Sequence, residues 1–177
     1  MKKFITLAIL SLSCLILLAA CSDSDKRSTE ATSTKNTKLD QKFDFELVDV
    51  AGKKHQLADY SGKPLVVKYW ASWCPICLAG LDEIESLSKD KTKDYQLITI
   101  VSPNYKNEKK SADFVEWFKT LELKNMTVLL DEDGELSQKL GVRVYPSYAY
   151  YDSSGVMLKV VPGYADQKVI EKTIAEI

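Results

Sequence analysis

An apolar segment that runs directly into two closely spaced cysteines restricts the folds open to this 177-residue chain more than any other feature. Residues 64–70 read Pro-Leu-Val-Val-Lys-Tyr-Trp, which is typical of a strand covered on both faces of a sheet. Cys74 and Cys77 follow, and apolar residues at helical spacing predict a helix from about Pro75. The sequence therefore predicts a strand, a short loop with a cysteine pair, and a helix in immediate succession.

A cysteine pair at such a junction is suited to disulfide exchange. Cys74 would lie at the amino end of the helix, where unpaired backbone N–H groups and the helix dipole favour a thiolate. Cys77, one turn further along, is within reach to attack a mixed disulfide between Cys74 and a partner. The motif therefore predicts a redox-active disulfide, with Cys74 as the nucleophile and Cys77 as the resolving thiol.

Two other uses of the cysteine pair are weaker. A zinc site needs about four ligands, and beyond the first 21 residues the chain offers only Cys74, Cys77 and a single histidine, His55, which we expect on the surface of the first hairpin. A purely structural disulfide between these cysteines would close a very short loop and restrict the unfolded chain little. No metal ligand is therefore predicted.

The amino terminus has the pattern of a targeting segment. Two lysines precede the apolar stretch 4–20, which is too short for a clear membrane span and ends in Leu-Ala-Ala-Cys at Cys21. This ending resembles the lipobox of bacterial lipoproteins, in which signal peptidase cleaves before the cysteine that carries the lipid. The resemblance implies a signal peptide at 1–20 and lipidation of Cys21. A plain signal peptide and an uncleaved signal anchor are the alternatives.

The chain after Cys21 divides by composition. Residues 22–38 contain no large apolar side chain and cannot offset their ordering entropy, so the lipidated Cys21 and a disordered tether are predicted at 21–38. One domain follows at 39–177. The 24 basic and 25 acidic residues nearly cancel, so nothing indicates nucleic acid as a partner.

The remaining periodicities predict alternating strands and helices. Phe43, Phe45 and Leu47 begin a hairpin that turns at 51–53, and Ser111 is predicted to cap a helix after a polar, basic loop at 102–110. The lysines at 106–110 of that loop would be solvated or, as the alternative, would steer an acidic partner. The last helix is predicted to face Val169, Ile170 and Ile174 inward. The other predicted elements are strands at 96–101 and 127–130, a helix at 135–140, a hairpin over 147–161 and the final helix at 166–177.

Taken in this order, residues 39–177 resemble a thioredoxin-fold protein of the extracytoplasmic TlpA/ResA-like branch. The resemblance implies an α/β thioredoxin fold, in which helices flank a central mixed sheet, with an added amino-terminal β-hairpin and an inserted helix and strand. The segments that carry it are Tyr69–Cys77, Gly141–Ser147 and Asp152–Gly155. Peroxidases of this fold carry a threonine three residues before their cysteine, where this chain has Ala71.

The resemblance also implies a contact surface for substrates. Pro146 would be the family's cis-proline beside the dithiol, with the Tyr145 backbone pairing with a substrate strand. Trp73, Pro75 and Ile76 would complete a small apolar surface around the sulfurs. An ordinary trans-proline, and packing alone for Trp73, are the alternatives.

One position departs from cytoplasmic thioredoxin. Lys68 stands where that family has a buried acid behind the dithiol, and a charged lysine cannot accept the proton of the resolving thiol. Glu83 and Glu85 on the following helix are possible substitutes, but neither is singled out by the sequence.

The resemblance to Gram-positive surface thioredoxins implies a monomeric reductase, lipid-anchored on the extracytoplasmic face of the bacterial membrane. Its only redox group would be the Cys74–Cys77 disulfide, with no cofactor. A CcdA-type membrane protein would donate electrons, and a protein disulfide client such as methionine sulfoxide reductase or apocytochrome c would receive them. An oxidase that inserts disulfides into secreted proteins and a non-catalytic binding lipoprotein remain alternatives.

Overall fold

Residues 44–177 are described by a computed structural model of the chain, and the predicted leader at 1–20 and tether at 21–38 lie outside them. The described residues form a seven-stranded mixed sheet. Its strands are β1 (Glu46–Asp49), β2 (Lys54–Gln56), β3 (Leu65–Tyr69), β4 (Gln96–Val101), β5 (Val128–Leu130), β6 (Ser147–Tyr151) and β7 (Met157–Pro162).

Helices connect these strands. Within residues 44–177, no helix combines the length and the apolar character needed to cross a membrane. The α-helices are α1 (Pro75–Ala79), α2 (Leu81–Lys89), α3 (Ser111–Lys119), α4 (Glu135–Lys139) and α5 (Gln167–Ala175), with short 3₁₀ turns at Leu57–Tyr60 and Glu132–Gly134.

Strand β3 lies inside the sheet, and its side chains contribute to the hydrophobic cores on both faces. The strand order is β2-β1-β5-β4-β3-β6-β7, and all five residues of β3 are buried. Val66 packs into the core that contains the cysteines, while Leu65, Val67 and Tyr69 pack into the core on the other face. The near-continuous apolar run therefore forms a strand covered on both faces, as predicted.

The strand directions bring three loops to one edge of the sheet. Because β3 and β4 are parallel, the loops that follow them leave from the same edge. Because β6 is antiparallel to β3 and Tyr69 pairs with Ser147, the loop that precedes β6 reaches that edge as well. The dithiol loop, residues 102–110 and the Pro146 loop are therefore neighbours.

The predicted architecture is confirmed in its main parts. Strands β1 and β2 form the amino-terminal antiparallel hairpin. Helix α3 and strand β5 form the inserted unit, and β5 adds to the sheet parallel to β4. The mixed sheet and its flanking helices thus agree with the predicted fold class.

Two helix details were predicted wrongly. Lys110, not Ser111, is the N-cap of α3; Ser111 is already helical, and its hydroxyl donates to Glu132 instead. Val169 exposes 45% of its surface, whereas Ile170 on the same helix is fully buried. Helix α5 is short and covers the sheet with a narrower face than its apolar residues indicated.

The single histidine is buried rather than on the surface. Its Nε2 lies 2.9 Å from Oδ2 of Asp49, and its Nδ1 lies 2.7 Å from the hydroxyl oxygen of Tyr60. His55 therefore links the first hairpin to the turn that leads into β3.

Candidate active site

The two motif cysteines form a disulfide just beyond the carboxyl end of β3, with their Cα atoms 5.2 Å apart. Cys74 is the N-cap of α1, and its Sγ accepts a hydrogen bond from the Cys77 N–H at 3.3 Å. Pro75 takes the first helical position, where its missing N–H costs no hydrogen bond. Cys74 is 4% exposed and Cys77 is fully buried, so only Cys74 reaches the surface.

The helix after the motif is interrupted at Gly80, although the apolar spacing predicted a continuous helix. Gly80 has φ −100° and ψ 8°; it ends α1 and begins α2. A Cβ atom at this position would lie 2.9 Å from Cε2 of Tyr164, closer than real Cβ atoms approach. The missing side chain lets Tyr164 pack directly on the junction between the two helices.

The loop before β6 lies beside the dithiol loop. Its Tyr145–Pro146 peptide bond is cis, and Pro146 is buried. The carbonyl oxygen of Pro146 accepts the N–H of Gly163 at 2.8 Å, and the φ of +103° at Gly163 favours glycine there. The ring centroids of Tyr145 and Trp73 are 6.1 Å apart. Two of the predicted substrate-binding residues are thereby brought into contact.

Several apolar side chains of the dithiol loop, the Pro146 loop and the segment after β7 are exposed to solvent. Trp73 is 48% exposed, Ile76 53%, Val144 53% and Tyr164 47%, and Pro75 between the cysteines is exposed as well. We call these five residues the apolar rim. Grouped exposed apolar side chains mark interaction sites, so the rim is suited to contact a protein segment.

The inserted loop at 102–110 holds the dithiol loop in place. Glu108 is buried; its Oε2 accepts the N–H of Ser72 at 2.5 Å, and its Oε1 accepts the Ser72 hydroxyl at 2.6 Å. The Nζ of Lys109 donates to the same hydroxyl oxygen at 2.7 Å and lies 5.0 Å from the ring centroid of Trp117. The carboxylate thus fixes the backbone two residues before Cys74.

The same loop also contacts the Pro146 loop. The Nζ of Lys106 donates to the carbonyl oxygens of Val142 at 3.2 Å and Arg143 at 2.6 Å, and lies 5.3 Å from the Tyr145 ring centroid. Burial, and then the positive charge of Arg143, lower the pKa of Lys106. The expectation of a solvated loop is therefore wrong at Lys106 and Lys109, which tie the inserted loop to both neighbouring loops.

We predict that Glu108→Gln lowers the free energy of unfolding by about 2 kcal/mol. The carboxylate accepts hydrogen bonds from the Ser72 N–H and the Ser72 hydroxyl on two charged oxygens, whereas a neutral amide has only one oxygen to accept them. The loosened dithiol loop should also slow disulfide exchange. Chemical denaturation and an exchange assay measure the two effects. Glu116→Gln is the matched control, since Glu116 is exposed and pairs with Lys119 on its own helix. Equal unfolding free energies for the two variants would contradict the role of Glu108.

Lys68 lies behind the dithiol, in β3. It is fully buried, and its Nζ donates to the carbonyl oxygen of Cys77 at 3.4 Å. Burial lowers the pKa of Lys68 to about 8, and the negative charge of Glu83 opposes that shift. The lysine that stands in place of the family's buried acid therefore brings an amine into contact with the backbone carbonyl of Cys77.

The two helix glutamates have other partners. Glu83 accepts the Tyr164 hydroxyl at 2.9 Å and the N–H of Gln167 at 3.0 Å. Glu85 accepts backbone N–H groups of residues 124–126, so it holds the segment that leads into β5. Both carboxylates thus join α2 to neighbouring segments.

The structure adds residues that sequence reasoning missed. Glu108 is 36 positions from Ser72, and no local pattern connects them. Val144 lies inside a segment already singled out, but its exposure follows only from the loop geometry. In the described part of the chain, no three His, Cys, Asp or Glu side chains group into a possible metal site.

Comparisons of this sequence with a family model and with known proteins agree with one another. A Redoxin family model matches residues 33–176. An uncharacterized protein of Haemophilus influenzae is 54% identical over 121 residues, which are 68% of this chain and 78% of that protein. The thiol:disulfide interchange protein DsbE of Escherichia coli K12 is 33% identical over 135 residues, which are 75% of this chain and 68% of DsbE.

Solved structures agree with these relatives. The pneumococcal exposed lipoprotein thioredoxin Etrx1 of Streptococcus pneumoniae superposes with a TM-score of 0.72 and 44% identity, covering 76% of this chain and all of that chain. The N-terminal domain of PilB from Neisseria gonorrhoeae has a TM-score of 0.68 and 30% identity, covering 73% of this chain and 86% of that chain.

The thioredoxin-like fold and the Cys74–Cys77 disulfide define a thiol–disulfide oxidoreductase. The chain belongs to the Redoxin family and is a thioredoxin-like protein of the ResA/TlpA-like type. The fold class, the family and the enzyme class predicted from the sequence are confirmed.

Proposed function

We propose that this oxidoreductase works as a reductase of protein disulfides, with Cys74 as the nucleophile and Cys77 as the resolving thiol. The exposure of the two cysteines is the observation that supports these roles of Cys74 and Cys77. Cys74 is 4% exposed and Cys77 is fully buried, so a client disulfide meets Cys74 first.

The electrons and bonds balance in two exchanges. The Cys74 thiolate attacks one sulfur of the client disulfide, and the other client sulfur leaves as a thiolate. Cys77 then attacks the Cys74 sulfur, which breaks the mixed disulfide and releases the second client sulfur. The client has gained two electrons, and the enzyme ends with the Cys74–Cys77 disulfide.

The client would dock on the apolar rim and on the backbone of Tyr145. Pairing of β6 begins at Ser147, so the N–H and C=O of Tyr145 lie beyond the paired part of the strand. An extended client segment can add to such a position by backbone hydrogen bonds. Trp73, Pro75 and Ile76 would contact the client side chains next to its cysteine, and Pro146 would shape the surface.

We further propose a location and two partners for this enzyme. The Leu-Ala-Ala-Cys sequence that ends at Cys21 supports a lipid anchor on the extracytoplasmic face of the membrane, and the similarity to an exposed lipoprotein thioredoxin supports it further. There the monomeric enzyme would take electrons from a CcdA-type membrane protein. It would pass them to a client such as methionine sulfoxide reductase or apocytochrome c.

The reduction potential of the Cys74–Cys77 pair tests the direction of electron flow. We expect a value near about −270 mV when the full-length protein is equilibrated with glutathione buffers, because reductases of this chemistry lie there. A value near about −120 mV would instead assign the protein to disulfide formation in secreted proteins. The Cys77→Ser variant is the control, since it cannot form the pair.

A further inference from the structure

Four positively charged side chains lie on the two loops that flank the dithiol loop. They are Lys106, Lys109 and Lys110 of the inserted loop and Arg143 of the Pro146 loop. We call these four residues the basic patch. The segments 102–110 and 142–145 carry a single carboxylate, Glu108, against these four charges, so their formal net charge is +3.

No carboxylate pairs with the basic patch. Within residues 44–177, none of the salt bridges includes one of its four members. Two carboxylates do contact the inserted loop, but uncharged donors bind their oxygens. Glu108 is buried and accepts both donors of Ser72. Glu132 accepts the side-chain amide of Asn104 at 3.3 Å and the hydroxyl of Ser111. The positive charges therefore remain available to an incoming anion.

Two amines of the basic patch are held beside the proposed docking surface. The Nζ of Lys106 is bonded to two carbonyl oxygens of the Pro146 loop and lies 5.3 Å from the ring centroid of Tyr145. The Nζ of Lys109 is bonded to the hydroxyl oxygen of Ser72 in the dithiol loop. The N–H of Asn104 donates to the carbonyl oxygen of Lys109 at 3.2 Å, which closes the inserted loop between them. These two charges thus have fixed positions.

Arg143 presents its charge differently. It is exposed, and among the described residues its guanidinium makes no hydrogen bond and no salt bridge. It lies two residues before Tyr145, whose backbone is the proposed pairing site for the client. Burial, and then repulsion from Arg143, lower the pKa of Lys106. Two like charges are therefore kept together next to the position where a client strand would be added.

We propose that the basic patch binds acidic side chains of the client, so that the enzyme prefers disulfides with aspartate or glutamate close to the attacked cysteine. This inference rests on the proposed function, because it assumes that a client segment docks along Tyr145. A strand added there would extend beside Lys106 and Arg143. Complementary charges across such a contact speed association and select among partners, and a guanidinium can bind a carboxylate through two parallel hydrogen bonds.

The overall charge of the protein acts in the opposite direction. The chain has a formal net charge of −1 at pH 7, so attraction by the whole molecule would slightly favour basic clients. A preference for acidic clients would therefore report the local charges of the basic patch.

Three cyclic peptides, each closed by one disulfide, provide the test. They carry aspartate, asparagine or lysine on both sides of one cysteine and are otherwise identical. The reduced full-length protein is mixed with each peptide and stopped with acid after defined times, and mass spectrometry measures the rate of peptide reduction. Reduction of the same peptides by dithiothreitol, an uncharged reagent, corrects for their intrinsic reactivity.

We expect the corrected rate for the aspartate peptide to be about 10-fold higher than for the asparagine peptide at low salt. The lysine peptide should be about 10-fold slower than the asparagine peptide. Both differences should decrease as the salt concentration rises from about 10 mM to about 1 M, because the charges are then screened.

Three variants assign the preference to the basic patch. Arg143→Glu should reverse it, so that the lysine peptide is reduced faster than the aspartate peptide. Arg143→Lys keeps the charge and should keep most of the preference. Lys172→Glu makes the same change of charge as Arg143→Glu at an exposed lysine of α5, and it should retain the wild-type preference.

Equal corrected rates for the three peptides at low salt would overturn the inference. The same loss of preference in Lys172→Glu as in Arg143→Glu would also overturn it, since net charge alone would then explain the rates. Equal peptide rates combined with binding to phosphatidylglycerol vesicles that Arg143→Glu abolishes would assign the basic patch to a membrane surface instead.

Hydroxyethyl disulfide, which is small and uncharged, serves as the standard for correct folding and intact chemistry. All variants should reduce it at the wild-type rate. If the wild-type protein reduced neither this compound nor any peptide, the proposed function itself would be contradicted. Reduction of all of them at equal corrected rates would contradict only the charge preference.

Discussion

The Cys74→Ser variant should reduce insulin disulfides no faster than buffer containing the same reductant. A serine hydroxyl can neither form a disulfide nor leave as a stable anion at neutral pH, so the first exchange cannot occur. The loss should be complete rather than partial, because Cys77 is fully buried and cannot replace Cys74 as the attacking sulfur. Insulin precipitation after reduction provides the measurement.

The Cys77→Ser variant gives the matched comparison. It retains the nucleophile Cys74 but lacks the resolving thiol, so a mixed disulfide with the client should accumulate on Cys74. Mass spectrometry of the trapped species would identify the client. Equal insulin reduction by the wild-type and Cys74→Ser proteins would contradict the assignment and favour a binding protein on a thioredoxin scaffold.

Lys68→Met should raise the free energy of unfolding at neutral pH by about 3 kcal/mol. The lysine lowers stability because its pKa falls from 10.5 in the unfolded chain to about 8 in the fold, and each unit corresponds to about 1.4 kcal/mol. Methionine fills a similar volume and carries no charge to desolvate.

The pH dependence has a definite sign. Between about pH 8 and pH 10.5 the unfolded chain binds more protons at Lys68 than the native state does, so this residue makes stability rise with pH in that window. Below about pH 8 the burial of the Lys68 charge lowers the free energy of unfolding by its full amount.

Denaturant titrations of wild type, Lys68→Met and Lys172→Met at a series of pH values measure this slope. The slope should disappear in Lys68→Met and persist in Lys172→Met, in which an exposed lysine is replaced. A Lys68→Met protein that is less stable than wild type at neutral pH would show that the amine is a net stabilising group.

The parts of the fold that the sequence predicts well are those in which local pattern and tertiary environment agree. Strand β4 covers Gln96–Val101, the range that its mostly apolar residues predicted, and its last four residues are buried. The environment of Gly80 is different, since its missing side chain makes room for the ring of Tyr164, which is distant in the sequence. The burial of His55 likewise follows from two partners that only the folded hairpin brings together.

Some residues of the candidate site can likewise be recognised from the sequence, and others cannot. Cys74 and Cys77 can be recognised from their spacing and from the strand that precedes them. The role of Glu108 cannot, because a glutamate in a basic loop has the same local sequence whether it is solvated or buried against Ser72. Predicting the role of Glu108 requires knowing that the loops after the parallel strands β3 and β4 leave from the same edge of the sheet.

The hydrogen bonds between Ser72 and Glu108 also bear on which parts of the sequence control the active-site loops. The loop that carries Glu108 leaves the sheet after β4, contacts both loops beside the sulfurs and contributes no atom to the disulfide. Changes in this one loop would therefore shift both loops beside the sulfurs without altering any residue of the dithiol loop itself. The position of the dithiol loop thus depends on a stretch of sequence more than thirty residues away from it.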